Sequence, residues 1–110
     1  MRRTGKVYFQ DIPAGLIWQD EDGYGFQYSQ TYLQSPNPQP VSLTLPLRIE
    51  PYLTKVLHPF FDGLIPEGWL LEILIKTWGV NSNDRMGLLL VACKDCIGAV
   101  GIEPLQTKGV

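Results

Sequence analysis

The apolar pattern of this chain changes period near Pro51, and that change constrains the fold more than any other feature. Before it, hydrophobic and polar residues alternate; after it, apolar residues recur at helical spacing. Lys6 to Gln10 (KVYFQ) alternates and is rich in β-branched and aromatic residues, so it reads as a strand. DIPAG is a turn, Leu16 to Gln19 (LIWQ) a second strand, and Tyr24 to Tyr28 (YGFQY) a third, with Tyr24, Phe26 and Tyr28 on one face. Between the last two, Asp20 to Gly23 (DEDG) is a hairpin turn with glycine where positive φ is tolerated. The first third is therefore expected to be an antiparallel meander. Ser29 to Leu33 reads as a short helix or turn, and Ser35 to Pro40 as a proline-rich loop. Val41 to Arg48 alternates at Val41, Leu43, Leu45 and Leu47, which predicts a strand with one buried face; Pro46 places it at an edge or a strand end.

After Pro51, Pro59, Gly63 and Pro66 punctuate one or two short turns. Glu67 to Trp78 is the strongest helix. Pro66 suits its first position, Glu67 favours the positive end of the helix dipole, and Gly79 is a natural stop. Asn81 to Asp84 (NSND) supplies caps for a second helix through about Cys93, and Gly98 to Leu105 closes the chain as a strand. The expected class is α+β: a small antiparallel, barrel-like sheet with two main helices packed on it. The 110 residues, with 45% hydrophobic, suffice for one domain with its core over residues 6 to 105 and a frayed tail over 106 to 110. There are no internal repeats.

The helix carries two tryptophans nine residues apart, which therefore cannot share a face. With Glu67 at zero and about 100° per residue, Leu70, Leu71, Leu74 and Trp78 fall between roughly 300° and 40°, with Ile75 near 80°. That broad face is expected to enter the core. Gly68, Glu72 and Lys76 fall on the solvent side, and Trp69 lies beside Lys76, flanked one turn on by Ile73. Trp78 is thus expected inside and Trp69 outside the main core. Either a strand or loop of the chain covers Trp69, or a partner does; tryptophan is the residue most enriched at interface hot spots.

Composition excludes several functions. A net charge of −2 and a pI of about 5.2 oppose direct nucleic-acid binding, which uses a basic face. Arg2, Arg3 and Lys6 cluster only at the start and read as a solvated end. No apolar run approaches the roughly 20 residues of a membrane span, and no apolar segment follows the two arginines as in a secretory signal, so the expected compartment is the cytoplasm. Cys93 and Cys96 form CKDC at the end of a helix, where a thiol is not activated, and His58 is the one other soft ligand; structural thiols are expected, with neither metal nor redox chemistry. His58, among prolines and phenylalanines, reads as a packed or surface residue. Asp20, Glu21 and Asp22 read as solvated turn residues. Asp62 and Glu67 can approach one another, but no pocket is evident to shift their pKa values. The serines lack a nucleophile motif and Gly23 to Gly25 lacks the rest of a phosphate loop, so no catalytic residues and no cofactor are expected.

Four segments in order carry a resemblance. FFDGLIPEGW, Phe60 to Trp69, is similar to the FF-x-x-LLPEG signature of the N-terminal subdomain of HipA-type serine/threonine kinase toxins. KVYFQDIPAGLIWQDEDGYGFQY resembles its opening meander, VSLTLPLR its SLSLPL strand, and LLLVACKDCIGAVGI its LL-x-x-x-G-x-DC-x-GAV ending, with Ala92 and Cys93 where glycine is usual. A HipA kinase continues for several hundred residues with its catalytic and metal-binding aspartates and phosphate loop. A chain of this subdomain alone resembles the small HipS antitoxins of tripartite HipB–HipS–HipT systems. The resemblance implies a HipT-like kinase toxin as partner, neutralised in trans. It also implies a HipB-like DNA-binding protein in a ternary complex, and tryptophanyl-tRNA synthetase as the kinase's target. It puts Trp69 forward as an anchor in or beside the kinase cleft, surrounded by Ile65, Pro66, Glu67, Gly68 and Ile73. Two other readings stay open: a non-inhibitory scaffold that completes the kinase or bridges it to the HipB-like protein, and an N-terminal fragment of a HipA-type kinase.

Overall fold

The computed structural model describes residues 3–65, 68–81, 83–92 and 100–105, and within these the side chains of all but Trp69 and Ala92. Three strands form the meander: β1 (Arg3–Phe9), β2 (Ile12–Asp20) and β3 (Gly23–Tyr28). Gln10 and Asp11 join the first two with φ of 52° and 66°, the two left-handed residues of a turn whose twist matches the flanking strands. Gly23, at φ 136°, ends the DEDG turn as expected; a Cβ there would stand 2.4 Å from the Thr54 carbonyl oxygen. The β1–β2 register shifts between Val7 and Tyr8, opposite Ala14. The Ala14 carbonyl accepts from the Ser29 amide at 2.8 Å, where Ser29 caps α1 (Gln30–Leu33).

The sheet is open and antiparallel, in the order β4-β3-β2-β1-β5, with β4 (Tyr52–Thr54) and β5 (Val100–Leu105) at its edges. Its inner face contributes Val7, Ile17, Phe26, Tyr28, Val100 and Ile102 to the core. Over it lie α2 (Pro59–Asp62), whose Phe61 is fully buried, and α4 (Arg85–Ala92), whose Met86, Leu88 and Leu89 are fully buried. Phe26 meets Phe61 at 5.2 Å between ring centroids and Tyr28 edge-on at 4.9 Å. This two-layer α+β arrangement is the expected class.

The strand expected over Val41 to Arg48 does not form. Residues 42–45 make a turn, with the Leu45 amide donating to the Ser42 carbonyl at 3.0 Å. Val41 and Leu45 are buried, but Leu43 is 94% exposed. Side chains compete here with a strand ladder. The Tyr28 hydroxyl donates to the Leu45 carbonyl and accepts from the Val41 amide at 3.0 Å. Ser42 Oγ accepts from the Thr44 amide at 3.2 Å. Burial pushes the Tyr28 phenol up to about 12, so it remains a donor throughout the physiological range. The edge strand is instead β4, for which the sequence offered no clear alternation.

The predicted long helix is α3 (Gly68–Trp78), stopped by Gly79 at φ 66°. Its core face is narrower than the predicted one. Trp78 is 61% exposed and Leu70 43%, while Leu71 and Ile75 lean against the core. The expectation that Trp78 is buried is therefore overturned. The helix packs chiefly on α4, at the margin of the molecule, so one narrow side suffices for its contact.

The N-terminal basic residues also depart from expectation. Arg3 lies in β1 and reaches Asp84 at 2.7 Å, and Lys6 stands 5.6 Å from the Tyr8 ring centroid. Arg2, Ser82, Cys93, Cys96, the Gly98 start of the closing strand and the tail 106–110 lie outside the described residues.

Candidate functional site

The described segment that leads toward α3, up to Ile65, is built from the core outward. Pro59 sets the first position of α2, and His58 caps it: its Nδ1 accepts from the Phe60 amide at 3.1 Å. Burial lowers the His58 pKa from 6.5, keeping the ring neutral and able to accept. The chain leaves α2 through tight turns, with the Leu64 amide donating to the Phe61 carbonyl at 3.0 Å and the Ile65 amide to the Asp62 carbonyl at 3.2 Å. Ile65 then inserts into the core at 4% exposure.

Two ion pairs tie the neighbouring helices to this region. Asp62 accepts from Arg85 Nε at 2.6 Å, joining the end of α2 to the start of α4. Asp84 accepts two hydrogen bonds from Arg3 and also takes the Gly87 amide at 3.1 Å, capping α4. The Arg3 guanidinium holds the Asp84 carboxyl below its ordinary value, and Asp84 raises that of Arg3 in return. Arg3 Nε donates further to Gln19 at 2.9 Å. The helical layer is thus pinned to both β1 and β2.

Of the residues singled out in the sequence, Ile65 is buried in the core. Gly68 is exposed, opening α3 at φ 67°, and Ile73 is 47% exposed on the same helix. Trp69 belongs to the first turn of α3. Pro66, Glu67 and the Trp69 side chain lie outside the described residues. The expected approach of Asp62 to Glu67 lies outside the described residues; Asp62 pairs with Arg85.

The far face of the sheet holds apolar surface that alternation had left unassigned. Trp18, Gly25 and Leu53 lie in one cross-strand row. The Trp18 ring covers Gly25, where a Cβ would come within 2.3 Å of it, and Leu53 stands 69% exposed beside it. An open hollow of about 340 Å³ adjoins this row, bordered by Asp20, Asp22 and Lys55. The close pairing of Gly25 with Trp18 was the available signal, since a ring needs a small residue opposite. Among the described residues, no three of His, Cys, Asp and Glu stand close enough to hold a metal ion, and no helix is long and apolar enough to cross a membrane.

Comparisons with known proteins agree with this architecture. Residues 5–103 match the model of the HipA N-terminal domain. An uncharacterized protein of Haemophilus influenzae is 32% identical over 101 residues, which cover 92% of each chain. The protein named "Putative kinase Y4mE" of Sinorhizobium fredii is 33% identical over 103 residues, covering 93% of this chain and 24% of that one. "Putative kinase Y4dM" of the same organism is 29% identical over 101 residues, covering 86% of this chain and 25% of that one. The chain therefore spans nearly all of the first relative and about a quarter of the other two. A solved structure, the N-terminal domain of HipA toxin, shares the fold with a TM-score of 0.71 over 96% of this chain and 95% of that one, at 24% identity. The chain belongs to the HipA N-terminal domain family.

Proposed function

We propose that this chain is an antitoxin that binds a HipT-type serine/threonine kinase in trans and neutralises it. Trp69 acts as the anchor, in or beside the kinase active site. The observation that carries this reading is the way the domain is distributed. It makes up about a quarter of two proteins named as putative kinases, and nearly the whole of a relative 32% identical to this chain. A domain found both within such proteins and nearly alone is suited to engage, from outside, a kinase that lacks it. The site brings binding rather than chemistry: Asp62 and Asp84 of the helical layer are taken up in ion pairs and a helix cap. A HipB-like DNA-binding protein completes a ternary complex in the cytoplasm, and the net charge of −2 leaves contact with DNA to that partner.

Co-expression with the kinase tests the proposal. The unaltered chain restores growth, and Trp69→Ala, though folded, does not. Full rescue by Trp69→Ala contradicts the anchor. A kinase that binds the chain and keeps its full activity favours a scaffold instead.

A further inference from the structure

None of the described side chains of α3 is buried. Leu71 and Ile75 rest half-buried against the core, yet Leu70 is 43%, Ile73 47% and Trp78 61% exposed. Leu70, Leu74 and Trp78 follow one another at four-residue spacing and form a stripe along one side of the helix, with Ile73 beside it. A helix that exposes such a stripe in the isolated chain is half of a contact.

We infer that this stripe is the continuation of the kinase-binding surface behind the corner: an apolar groove on the body of the kinase receives Leu70, Ile73 and Trp78. The inference rests on the proposed function above and adds to it a second tryptophan and a second contact. Continuity favours this occupant, because Leu70 and Ile73 stand within about one turn of Trp69 on the same helix. Length also favours it: in the two long relatives about three quarters of the chain lies outside the matching region, which is ample to cover this side. Area disfavours a second copy of this chain. Three partly exposed side chains fall short of the roughly 800 Å² per partner that a stable pair requires. A kinase already held at the corner needs only to extend its contact.

Calorimetric titration of the HipT-type kinase, a chain without this domain, tests the inference with the unaltered protein, Trp78→Ser and Leu70→Ser. Each substitution is expected to raise Kd by about tenfold or more, as for an apolar anchor at an interface. Each is expected to shift Tm by no more than about 2 °C, because the side chains are exposed in the free protein. Unchanged Kd for both variants, with Trp69→Ala still defective, overturns the stripe and leaves the functional reading standing. No binding by the unaltered chain overturns both. A Tm lowered by many degrees shows a structural role and overturns the inference. So does an unaltered protein that sediments as a dimer and becomes monomeric with Trp78→Ser.

Discussion

Gly68 enters α3 with φ 67°, and beyond its chain neighbours no described residue lies within 4 Å of where a Cβ would stand. Replacement by alanine therefore costs backbone strain alone, about 1 kcal/mol, without any clash to relieve. Urea denaturation of Gly68→Ala should show that loss with an unchanged m-value; a neutral or stabilising result contradicts the left-handed geometry. His58 is a second residue whose role follows from one atom. Its neutral Nδ1 caps α2, and protonation turns that acceptor into a donor facing the Phe60 amide. Because burial lowers its folded pKa below 6.5, its contribution is complete above that value and is lost as pH falls through the lower folded value. Tm should therefore fall more steeply between pH 7.5 and 5 than in His58→Asn, which keeps a cap without titrating in this range. Parallel curves contradict the capping role.

At the scale of elements, β1 passes beneath α4 at Gly5. A Cβ there would stand 2.8 Å from Leu90 Cδ2, 3.1 Å from Ile102 Cγ2 and 3.2 Å from Ile17 Cγ2. Gly5→Ala should destabilise by about 1–3 kcal/mol through overpacking, measured by chemical denaturation. A change below about 0.5 kcal/mol would mean that α4 is free to give way, as surface substitutions commonly show.

The meander, the DEDG turn and the Gly79 stop were legible because each depends on local signals: alternation, hairpin residues, and glycine at positive φ. The 41–48 segment was misleading because the same alternation occurs in a turn when distant side chains claim its backbone. Tyr28 takes both the Val41 amide and the Leu45 carbonyl, and no local pattern reveals that. The expected burial of Trp78 and Leu70 on α3 failed for a different reason. Seven of its eleven residues, Trp69, Leu70, Leu71, Ile73, Leu74, Ile75 and Trp78, are large and apolar, so the apolar side of the wheel is too broad to tell which part of it meets the core. Trp69 could be singled out on that wheel, whereas the exposure of Trp78 depends on where α4 lies.

For the whole molecule, the architecture divides into a sheet with one face under helices, and a helix, α3, that among its described side chains lends the core its Leu71–Ile75 side. Ion pairs from Arg3 to Asp84 and from Arg85 to Asp62 hold the helical layer to the sheet and α4 to α2. Ile65 and α3 thus adjoin a framework with its own buried core. The central claim is inhibition in trans by the Trp69 corner, and a titrated phosphorylation assay tests it most directly. Increasing amounts of the chain are added to the HipT-type kinase and its phosphorylated product is measured. The account predicts suppression to completion near one chain per kinase, and activity restored by at least about thirtyfold at the same dose of Trp69→Ala, the effect of losing an interface hot spot. Undiminished phosphorylation at saturating chain, or equal suppression by Trp69→Ala, contradicts it.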